Sequence, residues 1–177
     1  RMEGGEFLYA AEDTPDRANT ANGYHGRAEK PAFSVHGGPQ AAGTTLSVEL
    51  SAAPGARIYY TLDCSAPDET STPYTGPISV AGTTIVRAIA YLDGYLPSYS
   101  ASESYLYDAD HTMRVVSMVA DPDDIFGPEG FHTLYSEDLE RPGHIEVYTE
   151  DGAQMLSENC ALRLHGQGSR SMDQKGF

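Results

Sequence analysis

Short runs of alternating apolar and polar residues, separated by turn formers, fill residues 31–107. In the stretch TLSVEL, for example, Leu46, Val48 and Leu50 alternate with polar residues. A period of two residues is typical of a β-strand with one buried face. Further candidate strands are FSV (33–35), RIYYTL (57–62), ISV (78–80), TTIVRAIAY (83–91) and SASESYLY (100–107). The segments between them are rich in Gly, Pro, Asp and Ser, so six or seven short strands in about 75 residues predict a β-sandwich.

The composition supports an all-β fold. The 177 residues include 12 Tyr and 18 Gly but no Trp, and tyrosine favours strands whereas glycine favours turns. We therefore predict an immunoglobulin- or fibronectin-like β-sandwich followed by a smaller β-hairpin-rich region. The formal charge of −15, from 26 acidic and 11 basic residues, would repel nucleic acid, so no nucleic-acid partner is expected. No apolar run approaches the roughly 20 residues that span a bilayer, so no membrane span is expected.

The pattern divides the chain into three parts: a linker at 1–28, the sandwich at 29–108 and a β-rich segment at 109–177. In the last part, the stretch HIEVYTEDGAQMLSENCALRLHG predicts two strands joined by a turn at Asp151-Gly152. The chain begins on Arg1, and we expect it to be an excerpt of a larger exported bacterial protein. A truncated β-region leaves an unpaired strand edge, so we expect the last part to pack on the sandwich or to self-associate through that edge.

The stretch IYYTLDCSAPDETSTPYTGPISVAGTTIVRAIAYLDGYLPS resembles the Ig-like module at the C-terminus of chitobiase and β-hexosaminidase-type enzymes. In that family the module is an accessory without catalytic residues, so the resemblance implies a spacer or binding role. One departure is Cys64, which stands where the family pattern has Gly. A cysteine with positive φ costs about 1 kcal/mol in strain. We therefore expect this turn to have shifted toward a conformation that a β-carbon tolerates.

Two further resemblances flank that module. The stretches VVSMVADPDDIFGPEGFHTL, ERPGHIEVYTEDG and CALRLHGQGSRSMDQKGF together resemble the front of spore-coat CotH-type proteins, which are atypical protein kinases that use ATP and a divalent metal. Their catalytic acids lie beyond this opening segment, so the resemblance implies no catalytic residue in the chain. For a full-length protein it suggests a contact of Arg170 or Lys175 with nucleotide phosphates; the alternative is that both are strand and turn residues of a scaffold. The stretch GEFLYAAEDTPDRANTANGY resembles the last strand and exit of a lamin-tail-like domain.

The closing stretch HGQGSR has the look of a phosphate-binding loop but not its spacing. A P-loop needs Gly-x-x-x-x-Gly-Lys-Ser/Thr followed by a helix. Here Gly166, Gly168 and Ser169 precede an arginine, and no lysine lies at the required position. A phosphate cradle of this type is therefore excluded, and these residues are expected to form a turn at a strand end.

Two candidate ligand sites remain, each with a structural alternative. Exposed tyrosines form a candidate sugar-stacking strip, since a pyranose face packs on an aromatic ring: Tyr74, Tyr91, Tyr95 and Tyr99. Tyrosine is equally a routine strand residue with a half-buried ring. An acidic cluster offers oxygen ligands of the kind that calcium prefers: Asp121, Asp123, Asp124 and Glu129. The alternative for the cluster is a helix N-cap at Asp121 with acids in the first turn.

The sequence gives little support for zinc binding, serine-hydrolase chemistry or a disulfide. The six histidines show no zinc-ligand spacing, and the chain has no Gly-x-Ser-x-Gly elbow. A disulfide between Cys64 and Cys160 has no local support. We therefore predict a non-catalytic fragment without a cofactor, located outside the cell or at its surface, that spaces, presents or docks adjacent domains of a larger protein. The alternatives are the structural or regulatory front of a CotH-type kinase and a carbohydrate-binding accessory module whose partners are cell-wall or extracellular glycans.

Overall fold

A computed structural model describes residues 2–3, 6–7, 9, 23–107, 112–166 and 168–173. Strands dominate these residues, which confirms the prediction of an all-β fold. The strands are β1 (Met2–Glu3), β2 (Glu6–Phe7), β3 (Ala32–Phe33), β4 (Gly38–Gln40), β5 (Leu46–Val48), β6 (Leu50–Ser51), β7 (Arg57–Thr61), β8 (Thr72–Pro73), β9 (Ile78–Val80), β10 (Thr84–Tyr91), β11 (Ala101–Tyr107), β12 (Val115–Ala120), β13 (Glu140–Tyr148) and β14 (Gln154–Arg163). The helices are α1 (Pro122–Phe126) and a 3-10 turn at Gly168–Ser171. In the described part of the chain, neither is long and apolar enough to cross a membrane.

Strands β3–β11 form a sandwich. One sheet has the order β4-β11-β10-β7-β8, in which only the β4–β11 pair is parallel. The opposite layer consists of the antiparallel pairs β3–β6 and β5–β9. The two layers share one apolar core of buried residues: Val48, Leu50, Ile78, Val80, Val86, Ala88, Tyr105 and Tyr107. Since these residues come from both layers, the strands that the alternation predicts do bury their apolar faces against each other.

Two tyrosines of β11 occupy the middle of this core. Tyr105 and Tyr107 are almost entirely buried. Their hydroxyl groups donate to the backbone oxygens of Val35 and Val80, at 2.8 and 3.0 Å. A buried tyrosine needs such a partner for its hydroxyl, so each ring contributes apolar area without leaving an unpaired polar group.

Strands β12, β13 and β14 form a second, antiparallel sheet. The predicted turn joins β13 to β14: Gly152 has φ +85°, and the backbone N–H of Thr149 donates to Ala153. Glycine takes this left-handed conformation without steric cost. At one end of the sheet, Phe131 packs with Leu162 and Leu164 in a small core of its own.

The turn after β7 departs from expectation. Cys64 has φ +69°, so the expectation that this turn has shifted to suit a β-carbon is wrong. The turn keeps the left-handed conformation that suits glycine, although a cysteine occupies it. Its carbonyl oxygen accepts a 2.6 Å hydrogen bond from the guanidinium of Arg87, a buried side chain of β10. This bond anchors the strained residue to the central strand of the sheet.

Candidate functional site at the junction of sandwich and sheet

The second sheet packs on β11 of the sandwich through a buried polar contact. The backbone N–H of Ser104 donates to Oε1 of Glu146 at 3.2 Å, and the hydroxyl groups of Ser104 and Ser117 lie 2.9 Å apart. Ser104 and Glu146 are completely buried. We call this region the junction: the contact of β11 and residues 36–37 with strands β12–β14. It is held by directional hydrogen bonds, which fix relative position more tightly than apolar contact does.

A glutamate and a tyrosine of β13 share the centre of the junction. The hydroxyl group of Tyr148 donates to Oε1 of Glu146 at 2.8 Å. Oε2 of Glu146 is buried and has no hydrogen-bond partner among the described residues. Burial raises the pKa of Tyr148 far above its ordinary value, and the charge of Glu146 adds to that effect. The Tyr148 hydroxyl group is therefore held in its protonated form, which donates to Glu146.

A second buried carboxylate, that of Glu103 on β11, contacts two other segments of the chain: residues 36–37 and Gln154. Its oxygens accept from the backbone N–H of Gly37 at 2.6 Å and from the Gln154 amide at 3.3 Å, and one lies 3.2 Å from His36 Nδ1. Gly37 is closely packed here, because an added β-carbon would lie 2.6 Å from the backbone oxygen of Ser104. The junction thus depends on a residue without a side chain at position 37.

Hydrogen bonds from His144 on β13 to Asn159 on β14, and from Asn159 to Ser100 just before β11, connect the two sheets. We call this chain of hydrogen bonds the histidine relay. His144 is buried, with Nδ1 2.8 Å from Oδ1 of Asn159 and Nε2 3.2 Å from the hydroxyl group of Ser157. The Asn159 amide nitrogen donates to the backbone oxygen of Ser100 at 2.9 Å. This bond directs Oδ1 of the amide toward Nδ1 of the ring, so the imidazole is fixed between two side chains of β14. A cleft of about 200 Å³ opens beside the relay between the two sheets.

A second contact between sandwich and sheet lies outside the junction, where the Cys64 turn meets helix α1. Asp121 accepts from the backbone N–H of Asp123 at 2.9 Å and from that of Ala66 at 2.6 Å. It therefore caps the helix and binds the turn of the sandwich at the same time. Burial lowers the pKa of Arg87, and the nearby carboxylate of Asp121 opposes that effect. Asp121 thus lies close enough to Arg87 for their opposite charges to interact.

Two of the four acids predicted as calcium ligands, Asp121 and Asp124, have other side-chain partners. Asp121 is the N-cap of α1, which is the alternative role that the sequence offers. Asp124 lies 3.2 Å from the guanidinium of Arg141, and that guanidinium donates to the backbone oxygen of Glu129 at 2.6 Å. Asp123 is exposed in the first turn. Over the described ranges, no group of three or more His, Cys, Asp or Glu side chains is placed to hold a metal ion. The calcium site stays a prediction.

The four tyrosines of the predicted sugar strip fall into two groups. Tyr74 packs against the sandwich core, and its hydroxyl oxygen accepts from the backbone N–H of Leu50 at 3.0 Å. Tyr91 is half-buried and makes an edge-to-face contact with Tyr59. Burial also raises its pKa. Tyr95 and Tyr99 are exposed by 37% and 62%, so these two alone offer open ring surface.

Sequence reasoning missed the neighbours of the exposed pair. Backbone hydrogen bonds join residues 25–28 to residues 94–96. They bring His25 to Tyr95, with ring centroids 5.9 Å apart, and the guanidinium of Arg27 to 4.4 Å from the Tyr99 ring. The same guanidinium donates to the backbone oxygen of Pro97 at 2.6 Å. About 70 residues separate the two segments, so no local signal in the sequence could have found this aromatic and cationic patch.

The closing stretch forms a turn, with residues 168–171 in a single 3-10 helix. Arg170 donates to the backbone oxygen of Leu164 at 3.0 Å, while Lys175 lies outside the described residues. An open groove beside Arg170 is lined by Tyr135, Ser136, Asp138, Arg163 and Gly166. Arg163 forms a hydrogen-bonded ion pair with Asp138 there. The nucleotide role of Arg170 and Lys175 stays a prediction.

Both Cys64 and Cys160 are free thiols.

Fold and junction together define the class of protein: an Ig-like β-sandwich module joined to a smaller β-sheet. Residues 38–102 match the sequence model of the chitobiase/beta-hexosaminidase C-terminal domain family. This match confirms the first resemblance, which rests on the strands and turns between Ile58 and Ser98. The comparisons give no support to the CotH-type and lamin-tail-like resemblances. No curated protein and no solved structure matches the chain.

Proposed function

We propose that the chain is a non-catalytic module that holds and presents an adjacent domain outside the cell or at a bacterial cell surface. The match to an accessory domain family supports a non-catalytic role for residues 38–102. The observation that carries the proposal is the junction: Glu146 and Ser104 form a completely buried hydrogen bond between sandwich and sheet. A presenting module needs a fixed geometry between its parts, and buried directional contacts provide one.

Distance measurements between spin labels test this proposal. Cysteines replace Ser79 on the outer layer of the sandwich and Met155 on β14, in a chain whose own thiols are removed by Cys64→Ala and Cys160→Ala. Both label positions are exposed. We expect one narrow distance distribution by double electron–electron resonance. The Gly37→Ala change should broaden it, because the new methyl group separates the two sheets. A broad distribution in the unmodified junction would show that the two parts move independently, and the proposal would then be wrong.

A second function, carbohydrate binding, is favoured by the patch of Tyr95, Tyr99 and Arg27. Exposed aromatic rings stack on sugar faces, and the guanidinium adds hydrogen-bond donors beside them. Affinity electrophoresis in gels that contain cell-wall polysaccharides tests this function. We expect retardation that Tyr99→Ala abolishes and that Tyr135→Ala, at another exposed tyrosine, leaves unchanged. Equal migration with and without polysaccharide would contradict carbohydrate binding while leaving the presenting role intact.

A further inference from the structure

The three-stranded sheet buries a face with several polar side chains and leaves a largely apolar face open. Successive side chains of a strand point to opposite faces, and the face that carries Ser117 and Glu146 lies in the junction. The opposite face, which we call the outer face, carries large apolar side chains from all three strands: Val116, Met118, Ile145, Val147 and Leu156. A sheet with one solvated face normally turns its apolar side inward. The reversed arrangement indicates that the outer face is itself a binding surface.

The strand register makes this surface continuous. Val116 pairs with Val147, which pairs with Leu156, so one row across the sheet is apolar throughout. In the next row Met118 pairs with Ile145, and Ile145 pairs with Glu158. Side chains in directly opposed pairs lie about 5 Å apart. The exposed fractions of Val116, Met118 and Leu156 are 57%, 52% and 41%, which is far above the exposure of core residues and indicates an open apolar patch.

One end of the same face already has a cover. Ala120 and Cys160, which continue the rows of the outer face, pack against the small core of Phe131, Leu162 and Leu164, and Ile125 packs against the same core. Ile125 belongs to the short helix α1, so a helical segment covers this end of the sheet. The open rows begin directly beside the covered ones, because Met118 and Glu158 each lie two residues from a covered position. A further helix beside α1 would extend an existing apolar layer.

We propose that the open part of the outer face binds an amphipathic helix with a basic flank, supplied by polypeptide outside these 177 residues. Three strands about 4.8 Å apart span about 10 Å between the outer strands, which matches the diameter of one helix. An apolar ridge at helical spacing would fill the rows of Val116 and Met118. Glu158 stands exposed at the edge of the second row, opposite Ile145. A lysine or arginine on the flank of the helix complements that carboxylate.

Charge also argues against a second copy of the chain as the occupant. Each chain carries a formal charge of −15, so two chains repel each other as they approach. A basic helix is attracted by the same field, which raises its rate of association. This inference goes beyond the presenting role, because the outer face faces away from the junction and is available whether or not the junction is rigid.

Peptide binding to the full 177-residue chain tests the proposal. The probe is a fluorescein-labelled 21-residue peptide of leucine and lysine arranged so that the leucines lie on one helical face. A peptide of the same composition in scrambled order is the charge-matched control. By fluorescence anisotropy we expect saturable binding of the amphipathic peptide, at least tenfold tighter than that of the scrambled peptide. Equal binding of the two peptides would overturn the proposal, since charge alone would then explain it.

Two variants locate the binding surface. Met118→Asp should weaken binding of the amphipathic peptide at least tenfold, because it places a charge in the centre of the outer face. Leu62→Asp is the matched control: it makes the same change at a side chain of similar exposure on the sandwich, and binding should stay within about twofold. Circular dichroism should show both variants folded, since both side chains are about half exposed. Equal weakening by the two variants would overturn the proposal.

A charge reversal tests the role of Glu158, and two measurements test other occupants. Glu158→Lys should weaken binding of the leucine–lysine peptide and strengthen binding of a leucine–glutamate peptide. No change in this preference would contradict the assignment of the basic flank. Light scattering is expected to give a monomer of 19.1 kDa, and vesicles of neutral phosphatidylcholine are expected not to bind. A dimer that Met118→Asp dissociates, or vesicle binding that Met118→Asp abolishes, would replace the helix by a second copy or a lipid surface.

Discussion

The guanidinium of Arg87 donates a 2.6 Å hydrogen bond to the carbonyl oxygen of Cys64, the one non-glycine residue with positive φ in the described part of the chain. Arg87 is only 4% exposed, so this bond forms in a place where water competes little. The buried guanidinium gives the carbonyl oxygen of Cys64 a charged donor, which offsets part of the backbone strain at this residue. The same side chain lies close to Asp121, so the strained turn is also a contact between sandwich and sheet.

Replacing Cys64 by glycine should therefore stabilise the protein. Glycine adopts positive φ without the steric cost of a β-carbon, and it leaves the carbonyl oxygen available to Arg87. We expect the free energy of unfolding to rise by about 0.5–1 kcal/mol, after the greater freedom of glycine in the unfolded chain is counted. Urea denaturation measures it. Cys64→Ala keeps the β-carbon and is the control: a rise equal to that of glycine would show that the thiol, not the backbone, is the source of strain.

Adding a single methyl group at Gly37 should disrupt the junction. A β-carbon there would lie 2.6 Å from the backbone oxygen of Ser104 and 2.8 Å from the hydroxyl group of Tyr148. Backbone atoms cannot yield locally, so we expect Gly37→Ala to cost about 2–4 kcal/mol of stability. Gly82→Ala is the matched control, because no atom lies within 4 Å of its added β-carbon. Urea denaturation of both variants decides the matter, and similar stabilities for the two would show that the junction has room at position 37.

Much of the fold could be predicted because its signals are local. Alternation in TLSVEL and RIYYTL predicts strands, and β5 and β7 follow these stretches within one or two residues. The turn at Asp151-Gly152 and the cap at Asp121 are likewise present. Each of these features depends on residues within a few positions of one another, so the sequence carries enough information to define them.

The junction could not be predicted, because its residues are distant in the sequence. Glu146 looks like an exposed strand residue between Ile145 and Val147, yet it is completely buried beside Ser104. Alternation places it on the face opposite to the apolar residues, which would normally be the solvated face. Only the packing of the two sheets shows that this face is the inner one. The prediction for the Cys64 turn was wrong for a similar reason. The hydrogen bond from Arg87, which supports positive φ at Cys64, comes from a strand more than 20 residues away.

Removing the side chain of Asp121 should cost more than removing that of its neighbour. Asp121 caps helix α1 and also accepts from the backbone N–H of Ala66 on the sandwich. We expect Asp121→Ala to lower the free energy of unfolding by about 2 kcal/mol, since both a cap and a contact between the parts are lost. Asp123→Ala removes an exposed first-turn acid and should cost no more than about 0.5 kcal/mol. Equal losses in urea denaturation would mean that Asp121 contributes only general charge at the helix start.

Alkaline titration should detect Tyr105 and Tyr148 as late-ionising tyrosines. Burial raises the pKa of Tyr105 and of Tyr148 well above the ordinary value, and the negative charges of Glu103 and Glu146 raise both further. A tyrosine is neutral when protonated, so a raised pKa means that the folded chain holds these protons more tightly than the unfolded chain does. Their contribution to stability is therefore complete below the unfolded value of about 10 and is lost as the pH rises above it.

The measurement is absorbance at 295 nm from pH 8 to pH 13, recorded with circular dichroism on the same samples. We expect Tyr105 and Tyr148 to ionise only together with the loss of the strand signal. Tyr148→Phe should remove one late tyrosine, because the junction ring is then missing. Tyr99→Phe, at a 62% exposed ring, is the control and should leave the late step unchanged. The contradicting result is ionisation of all tyrosines in one phase with the strand signal unchanged. Water would then reach the hydroxyl groups of both rings in the folded protein, and the sandwich core and the junction would not exclude solvent.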